Sequence, residues 1–256
     1  MSKSIAVVTG ANGGFGRELA RLISRESGID EIWAIARNEE KLADLRKELG
    51  DVIKPISLDL SQRSSIAAFS EMLAAEDVKI RFLVNNAGYS KFCSFEDISI
   101  DETLNMIDLN VSALVALGLT AIPYMEKGSR ILNIASQCSF FPLPYQNVYS
   151  ATKAFVRNYT RSLNVELKTK GITATAVCPG WMKTGLMDRG DIGAGKNVTN
   201  FFGIKPADVV AKKALRDAKK GRDMSTYGIY VKLTHLLSKL LPQRWMMKFW
   251  CMQQGY

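Results

Sequence analysis

Ile5-Ala-Val-Val8 is a short β-branched run, and Thr9-Gly-Ala-Asn-Gly-Gly-Phe-Gly16 follows it without a spacer. From Phe15 onward, apolar residues recur at Leu19, Leu22 and Ile23, the three- and four-residue spacing of a helix. A strand that passes through a glycine turn straight into a helix leaves few architectures open. It is the expected opening of a dinucleotide-binding unit in a parallel sheet. Glycines there let the backbone come close to a pyrophosphate, and the helix start offers free N–H donors and a positive dipole end. A plain tight turn would use the same residues, so the rest of the chain has to decide.

The alternation continues. Strands are expected at 31–36, 52–58, 81–84, 130–135 and 172–177, with helices over 39–49, 61–76 (capped by Ser61), 101–127 and from Tyr149 to about residue 170, where Gly171 ends it. This order predicts an α/β fold, a doubly wound parallel sheet with helices on both faces. At 256 residues the chain suits a single such domain. Residues 1–228 read as the catalytic dinucleotide-binding part and 229–256 as a basic amphipathic helical extension of it. The stretch 181–205 is rich in glycine and carries Phe201 and Phe202, the composition of a mobile lid with an apolar tip.

Charge and cysteine narrow the function classes. The net charge of +9 sits almost wholly in residues 201–256, which hold eleven Lys/Arg against three Asp/Glu. No recognised nucleic-acid module accompanies it, so nucleic acid is not expected. Cys93, Cys138, Cys178 and Cys251 are scattered, and His235 is the only histidine. That excludes familiar zinc patterns and a Ser-His-Asp site, and suits reduced thiols in a cytoplasmic enzyme. The apolar stretch 111–122 is too short to cross a bilayer.

The strand ends carry the chemistry. Tyr149 and Lys153 are four residues apart, one turn along a helix face. A lysine ammonium beside a tyrosine favours the phenolate, which predicts a lowered Tyr149 pKa and a tuned acid/base. Ser136 closes the apolar run 131–135, where an open parallel sheet places a reactive group. At the end of the second strand Ala36 is neutral and Arg37 cationic. A 2′-phosphate is therefore favoured over bare ribose hydroxyls, unless Arg37 is only the solvated start of the following helix. Asn110, polar within an apolar run, is either a structural hydrogen-bonder or a site residue.

These blocks resemble the short-chain dehydrogenase/reductase family over roughly residues 4–228. The matching stretches are Thr9-Gly10-x-x-x-Gly14-x-Gly16, Asp59, Asn85-Asn86-Ala87-Gly88, Asn110, Ser136, Tyr149-x-x-x-Lys153, and Pro179-Gly180 with Thr184. The resemblance implies Asn110, Ser136, Tyr149 and Lys153 as the catalytic set, with Tyr149 the proton donor and Ser136 polarising the carbonyl. It implies that Gly10, Gly14 and Gly16 approach the phosphates, with Asn12 and Phe15 nearby. Asp59 and Leu60 would meet adenine, Asn86 with Ala87 and Gly88 the adenosine ribose region, and Pro179, Gly180 and Thr184 the nicotinamide. Arg37 favours NADP(H), and the absence of a basic residue at Asn12-Gly13 leaves NAD(H) open. Homodimers or homotetramers through the helices 101–127 and 146–170 are also implied.

The substrate side reads as apolar, with Phe141 and Trp181 as its expected contacts. Steroid or bile-acid-like ketones stand ahead of 3-oxoacyl groups, on a loose similarity to the hydroxysteroid branch. In 229–252, Ile229, Leu233, Leu236, Leu237 and Leu240 recur at helical spacing, and Pro242 precedes a second aromatic and cationic run. Three roles compete for this tail: a helix packed over the substrate cleft or a neighbouring subunit, an amphipathic helix on an anionic membrane surface, and a basic patch for an acyl carrier. A non-catalytic nucleotide-binding module would need Tyr149 or Lys153 to be missing. Both are present.

Overall fold

The computed structural model describes residues 2–184, 198 and 200–256. Its centre is a seven-stranded parallel sheet in the order β3-β2-β1-β4-β5-β6-β7. The strands are β1 (Lys3–Thr9), β2 (Glu31–Ala36), β3 (Ile53–Ser57), β4 (Val78–Asn85), β5 (Met125–Ile134), β6 (Thr173–Cys178) and β7 (Met224–Thr226). Ile5, Ala6, Val7 and Val8 are all fully buried, as expected of a central strand covered on both faces.

Two apolar layers enclose the sheet. On one face Ala6, Val8 and Ala34 pack beneath α1 (Gly14–Ile23), α2 (Glu39–Leu49) and α7 (Ala207–Lys219). On the other, Ile5, Val7 and Trp33 meet α3 (Arg63–Ala75), α5 (Ala113–Ala121) and α6 (Asn147–Glu166). Trp33 sits edge-on to Phe69 of α3 with ring centroids 6.3 Å apart, an arrangement that adds specific geometry to burial.

Several boundaries depart from the sequence reading. Strands β4 and β5 begin earlier than 81 and 130, because β4 opens with alternating buried and exposed residues and β5 with largely polar ones, neither forming an apolar run. Ser61 does not cap α3. Its N–H and hydroxyl donate to Asp59 Oδ1 instead, and the helix starts at Arg63. The helix expected over 101–127 is α4 (Ile100–Ile107), a π-helical turn (Asp108–Ser112) and α5, closed by a tight turn at Ile122–Tyr124 that contains Pro123. This 25-residue run is long and apolar enough to cross a bilayer, unlike the 111–122 stretch judged alone. Its Ala113, Leu114, Leu117 and Ala121 are buried in the fold. Helix α6 passes into a 3-10 turn before Gly171, whose φ of 67° is the left-handed end that glycine favours.

The tail forms α8 (Ile229–Leu240) and α9 (Gln243–Gln254), separated at Leu241-Pro242. Most of the stretch expected to be a lid, 185–197 and residue 199, lies outside the described residues. Phe201 packs on Trp181, ring centroids 4.7 Å apart, while Phe202 is exposed.

Candidate active site

The C-terminal ends of the strands open into a cavity of about 470 Å³. Gly10, Asn12, Gly14 and Phe15 form its floor at the β1–α1 turn. Gly10 and Gly14 have φ of 63° and 53°, and a Cβ on Gly10 would lie 2.7 Å from Asn86 Nδ2. Glycine is therefore required for both the turn and the close approach. Asn86 holds this turn from above, its Nδ2 donating to the carbonyls of Thr9 and Gly10. The Thr9 hydroxyl accepts the N–H groups of Asn86 and Ala87 at 2.9 Å.

Gly16 has a different task. It does not line the cavity, and a Cβ there would stand 2.2 Å from the Gly10 carbonyl oxygen. It is the contact that seats α1 on the turn, outside the lining expected to meet the phosphates.

At the end of β2 the cavity wall carries Arg37, Asn38 and Lys41. Asn38 caps α2 by accepting the Lys41 N–H at 2.7 Å, which places Lys41 one turn beyond Arg37. Lys41 escaped the sequence reading, although its spacing from Arg37 is the same four residues that singled out Tyr149 and Lys153. Asp59 and Leu60 line the same end, with Asp59 engaged by Ser61. Among the described residues no carboxylate forms an ion pair with Arg37 or Lys41.

Ser136, Tyr149 and Lys153 converge at the opposite end, with Ala87, Gly88, Pro179, Gly180, Trp181 and Thr184 around them. Ser136, two residues past the end of β5, has extended backbone and caps the short turn Gln137–Ser139, accepting the Cys138 N–H at 3.2 Å. All three side chains of the set are buried. Lys153 Nζ donates to the Ile134 carbonyl at 2.7 Å and lies 5.7 Å from the Tyr149 ring centre. Gln137 and Cys138 also line this end. The buried Gln137 Oε1 accepts no hydrogen bond among the described residues, and burial pushes the Cys138 thiol up to about 11.

Proximity of Tyr149 and Lys153 is as the spacing predicts, but its expected consequence is reversed. Burial raises the Tyr149 hydroxyl well above its ordinary value, with the Ser136 hydrogen bond opposing that shift. Burial likewise lowers Lys153 to about 8. Removing both groups from water disfavours both charges. At neutral pH Tyr149 is a held proton rather than a phenolate.

Asn110 does not line the cavity either. It sits fully buried in the π-helical turn, where Oδ1 accepts the Tyr89 N–H and Nδ2 donates to the Tyr89 carbonyl and the Thr152 hydroxyl. Asn110 thus clamps the segment after β4 onto α6, beside Lys153. An Asn110→Ala variant leaves the part-buried Tyr89 N–H and carbonyl without their side-chain partner, at up to about 1–3 kcal/mol each. Its Tm should fall by roughly 5–15 °C in a thermal melt.

Trp181 faces the cavity, while Phe141 does not and packs in the apolar layers beneath. Phe92, Met106, Leu143 and Trp250 surround Tyr149 and Trp181 with further apolar surface. Trp250 Nε1 donates to the Pro144 carbonyl at 3.0 Å, tying α9 to the 140–145 loop. His235 is half-buried and lies against the Phe140 ring, with no part in the cavity.

The family model described as short chain dehydrogenase matches residues 4–191. The chain belongs to the short-chain dehydrogenase family. It is 33% identical over 213 residues to the NADP-dependent 3-hydroxy acid dehydrogenase of Escherichia coli K12, covering 80% of this chain and 85% of that one. An uncharacterized oxidoreductase of Staphylococcus epidermidis is 30% identical over 200 residues, 77% of this chain and 86% of that protein. Among solved structures, a short-chain dehydrogenase from Sphingobium yanoikuyae in complex with NADPH superposes with a TM-score of 0.76. Identity there is 26%, with 95% of each chain covered. The protein is an oxidoreductase of this family, acting on the CH–OH group of its donors.

Proposed function

We propose that the protein interconverts a ketone and a secondary alcohol on a hydrophobic substrate, using NADP(H). One observation carries the reading: a single cavity joins the buried Ser136–Tyr149–Lys153 set to a cationic end built by Arg37 and Lys41. The glycine floor and the α1 N-terminus fit a pyrophosphate, and the two cations fit a 2′-phosphate. Asn12 and Phe15 belong to that floor, Asp59 and Leu60 suit the adenine, and Ala87 and Gly88 the adenosine ribose region. Pro179, Gly180 and Thr184 suit the nicotinamide end. Bound there, NADP(H) supplies or accepts the hydride.

Each protein group then has a defined task. Tyr149 gives its phenolic proton to the substrate oxygen in reduction and takes it back in oxidation. Ser136 donates to the same oxygen and stabilises the charge that develops on it. The Lys153 ammonium offsets the negative charge left on Tyr149, and Asn110 positions it by holding the backbone around it. The raised Tyr149 value suits the protonated, reducing form. Lys153 keeps its charge below about pH 8, so reduction should hold steady through neutrality and decline above that point, while oxidation should show no gain there because burial holds the Tyr149 proton well above its ordinary range. A pH profile of both directions checks this.

The apolar wall of Trp181 with its neighbours Phe92 and Phe201 supports a flat, hydrophobic skeleton such as a steroid or bile acid. A 3-oxoacyl or 3-hydroxy acid substrate is the second reading, favoured by the Escherichia coli relative. Exposed Ile100, Leu104 and Leu119 on α4 and α5, with Phe155 and Val165 on α6, support a homodimer or homotetramer through these helices. Four free thiols, three of them buried, suit a reducing, cytoplasmic setting.

The cofactor assignment is tested by titrating NADPH and NADH against wild type and Arg37→Ala. Loss of charge-assisted contacts worth about 1.5–3 kcal/mol should weaken NADPH roughly ten- to a hundredfold and leave NADH within about threefold. Equal losses for both would remove Arg37 as the phosphate reader.

A further inference from the structure

Helix α8 is seated on the protein by Val231, with Gly180 beneath it, and by His235 on the Phe140 ring. Its outward face is nevertheless apolar. Ile229, Leu233, Leu236 and Leu240 are 87%, 53%, 52% and 69% exposed, and their spacing of four, three and four residues places them along one stripe. Helix α9 repeats the arrangement. Met246, Trp250 and Gln254 are buried, whereas Trp245, Phe249 and Met252 point out at 56%, 53% and 65% exposure, again four and three residues apart. A surface helix that meets only water turns its polar side outward. Here both helices have an apolar side in excess of what the core uses.

The charges beside the stripe identify what covers it. Lys232 and Lys239 on α8, and Arg244 and Lys248 on α9, are all exposed and fall on the flank of their helix's apolar stripe. Residues 229–256 contain no Asp or Glu. Large outward aliphatic and aromatic side chains bordered by cations, without a compensating acid, complement a hydrocarbon boundary beneath a layer of anionic headgroups.

We propose that α8 and α9 together dock the protein on an anionic phospholipid surface, with Leu233, Leu236, Leu240, Trp245 and Phe249 entering the headgroup–acyl boundary. Helix α8 packs on Gly180, which lines the reactive end of the cavity, and α9 is tied to the 140–145 loop. If the hydrophobic-substrate reading holds, docking also sets that end beside a phase in which such a substrate dissolves. The docking itself does not depend on that reading.

Flotation of the full chain with vesicles tests it, comparing phosphatidylcholine alone with an equal mixture of phosphatidylcholine and phosphatidylglycerol. Binding to the anionic vesicles should be at least about tenfold stronger and should weaken with salt. Trp245 is the one exposed tryptophan of four, so its emission should shift to the blue on binding and the shift should vanish in Trp245→Ala. Leu233→Glu with Phe249→Glu, and separately Lys239→Glu with Lys248→Glu, should each reduce binding by about tenfold or more at an unchanged Tm. The proposal is overturned if wild type fails to float with the anionic vesicles, or if it binds both compositions alike and the substitutions change nothing. A concentration-dependent dimer lost in Leu233→Glu, without vesicle binding, would assign the face to a second copy instead. Capture of an acidic carrier protein without vesicle binding would assign it to that partner.

Discussion

Replacing Tyr149 by Phe should reduce turnover by about a thousandfold while NADPH binds within about twofold of wild type. The substitution removes one oxygen. The ring stays among Met106, Leu143 and Trp181, so packing and the shape of the cavity are preserved. What disappears is a cavity-lining phenolic hydroxyl whose proton is held by burial, in hydrogen-bonding contact with Ser136. Ser136 alone can polarise a carbonyl, but its own proton is too tightly held to be delivered. A titration of NADPH fluorescence and a turnover assay on the same sample separate the two effects. Equal loss of binding and turnover would mean that Tyr149 serves cofactor placement instead of proton transfer.

Gly16→Ala should be the most damaging single methyl in the chain. The new Cβ would fall 2.2 Å from the Gly10 oxygen and 2.5 Å from Asn86 Nδ2. Neither neighbour can withdraw. Gly10 N–H is bonded to the Ile35 carbonyl at 2.8 Å, and Asn86 bridges the Thr9 and Gly10 carbonyls. The α1 helix must move off the turn, so a loss of about 3 kcal/mol or more is expected, a fall in Tm of roughly 6–12 °C, with NADPH binding lost as well. Gly13→Ala in the same loop provides the contrast. Its backbone is extended and its Cβ would meet nothing within 4 Å, so its Tm should change by no more than about 2 °C. Equal melting shifts for the two variants would refute this reading of the turn.

The contrast also shows what a glycine pattern conveys. Spacing places Gly10, Gly14 and Gly16 in one turn but does not tell which approach a ligand and which seat a helix. That depends on the Gly10 carbonyl, a matter of three-dimensional packing. The strand and helix order was legible because both faces of the sheet are covered and each helix buries one side, which writes two distinct periodicities into the chain. The same rule misled at the N-terminal ends of β4 and β5, where β4 alternates, β5 is largely polar, and neither has an apolar run.

Within the site, Tyr149 and Lys153 were readable from helix geometry, and Arg37 from its strand end. The direction of the Tyr149 shift was not, because it depends on how deeply both groups are buried. The role of Asn110 was left open by its sequence context, and its three bonds to Tyr89 and Thr152 come only from three-dimensional packing. In the tail, periodicity identified an apolar stripe on α8. It could not say whether that stripe faced the protein, and Leu233, Leu236 and Leu240 turn out to face away from it.

The central claim is that this cavity moves hydride between NADP(H) and the carbonyl–alcohol pair of an apolar substrate. The most direct test follows reduced-nicotinamide absorbance with NADPH and NADH in parallel, across ketones graded from small polar to steroid-like and 3-oxoacyl. The account predicts NADPH consumption that rises with the apolar surface of the ketone and disappears in Tyr149→Phe. Turnover confined to small polar carbonyls, or activity that persists in Tyr149→Phe, would contradict it.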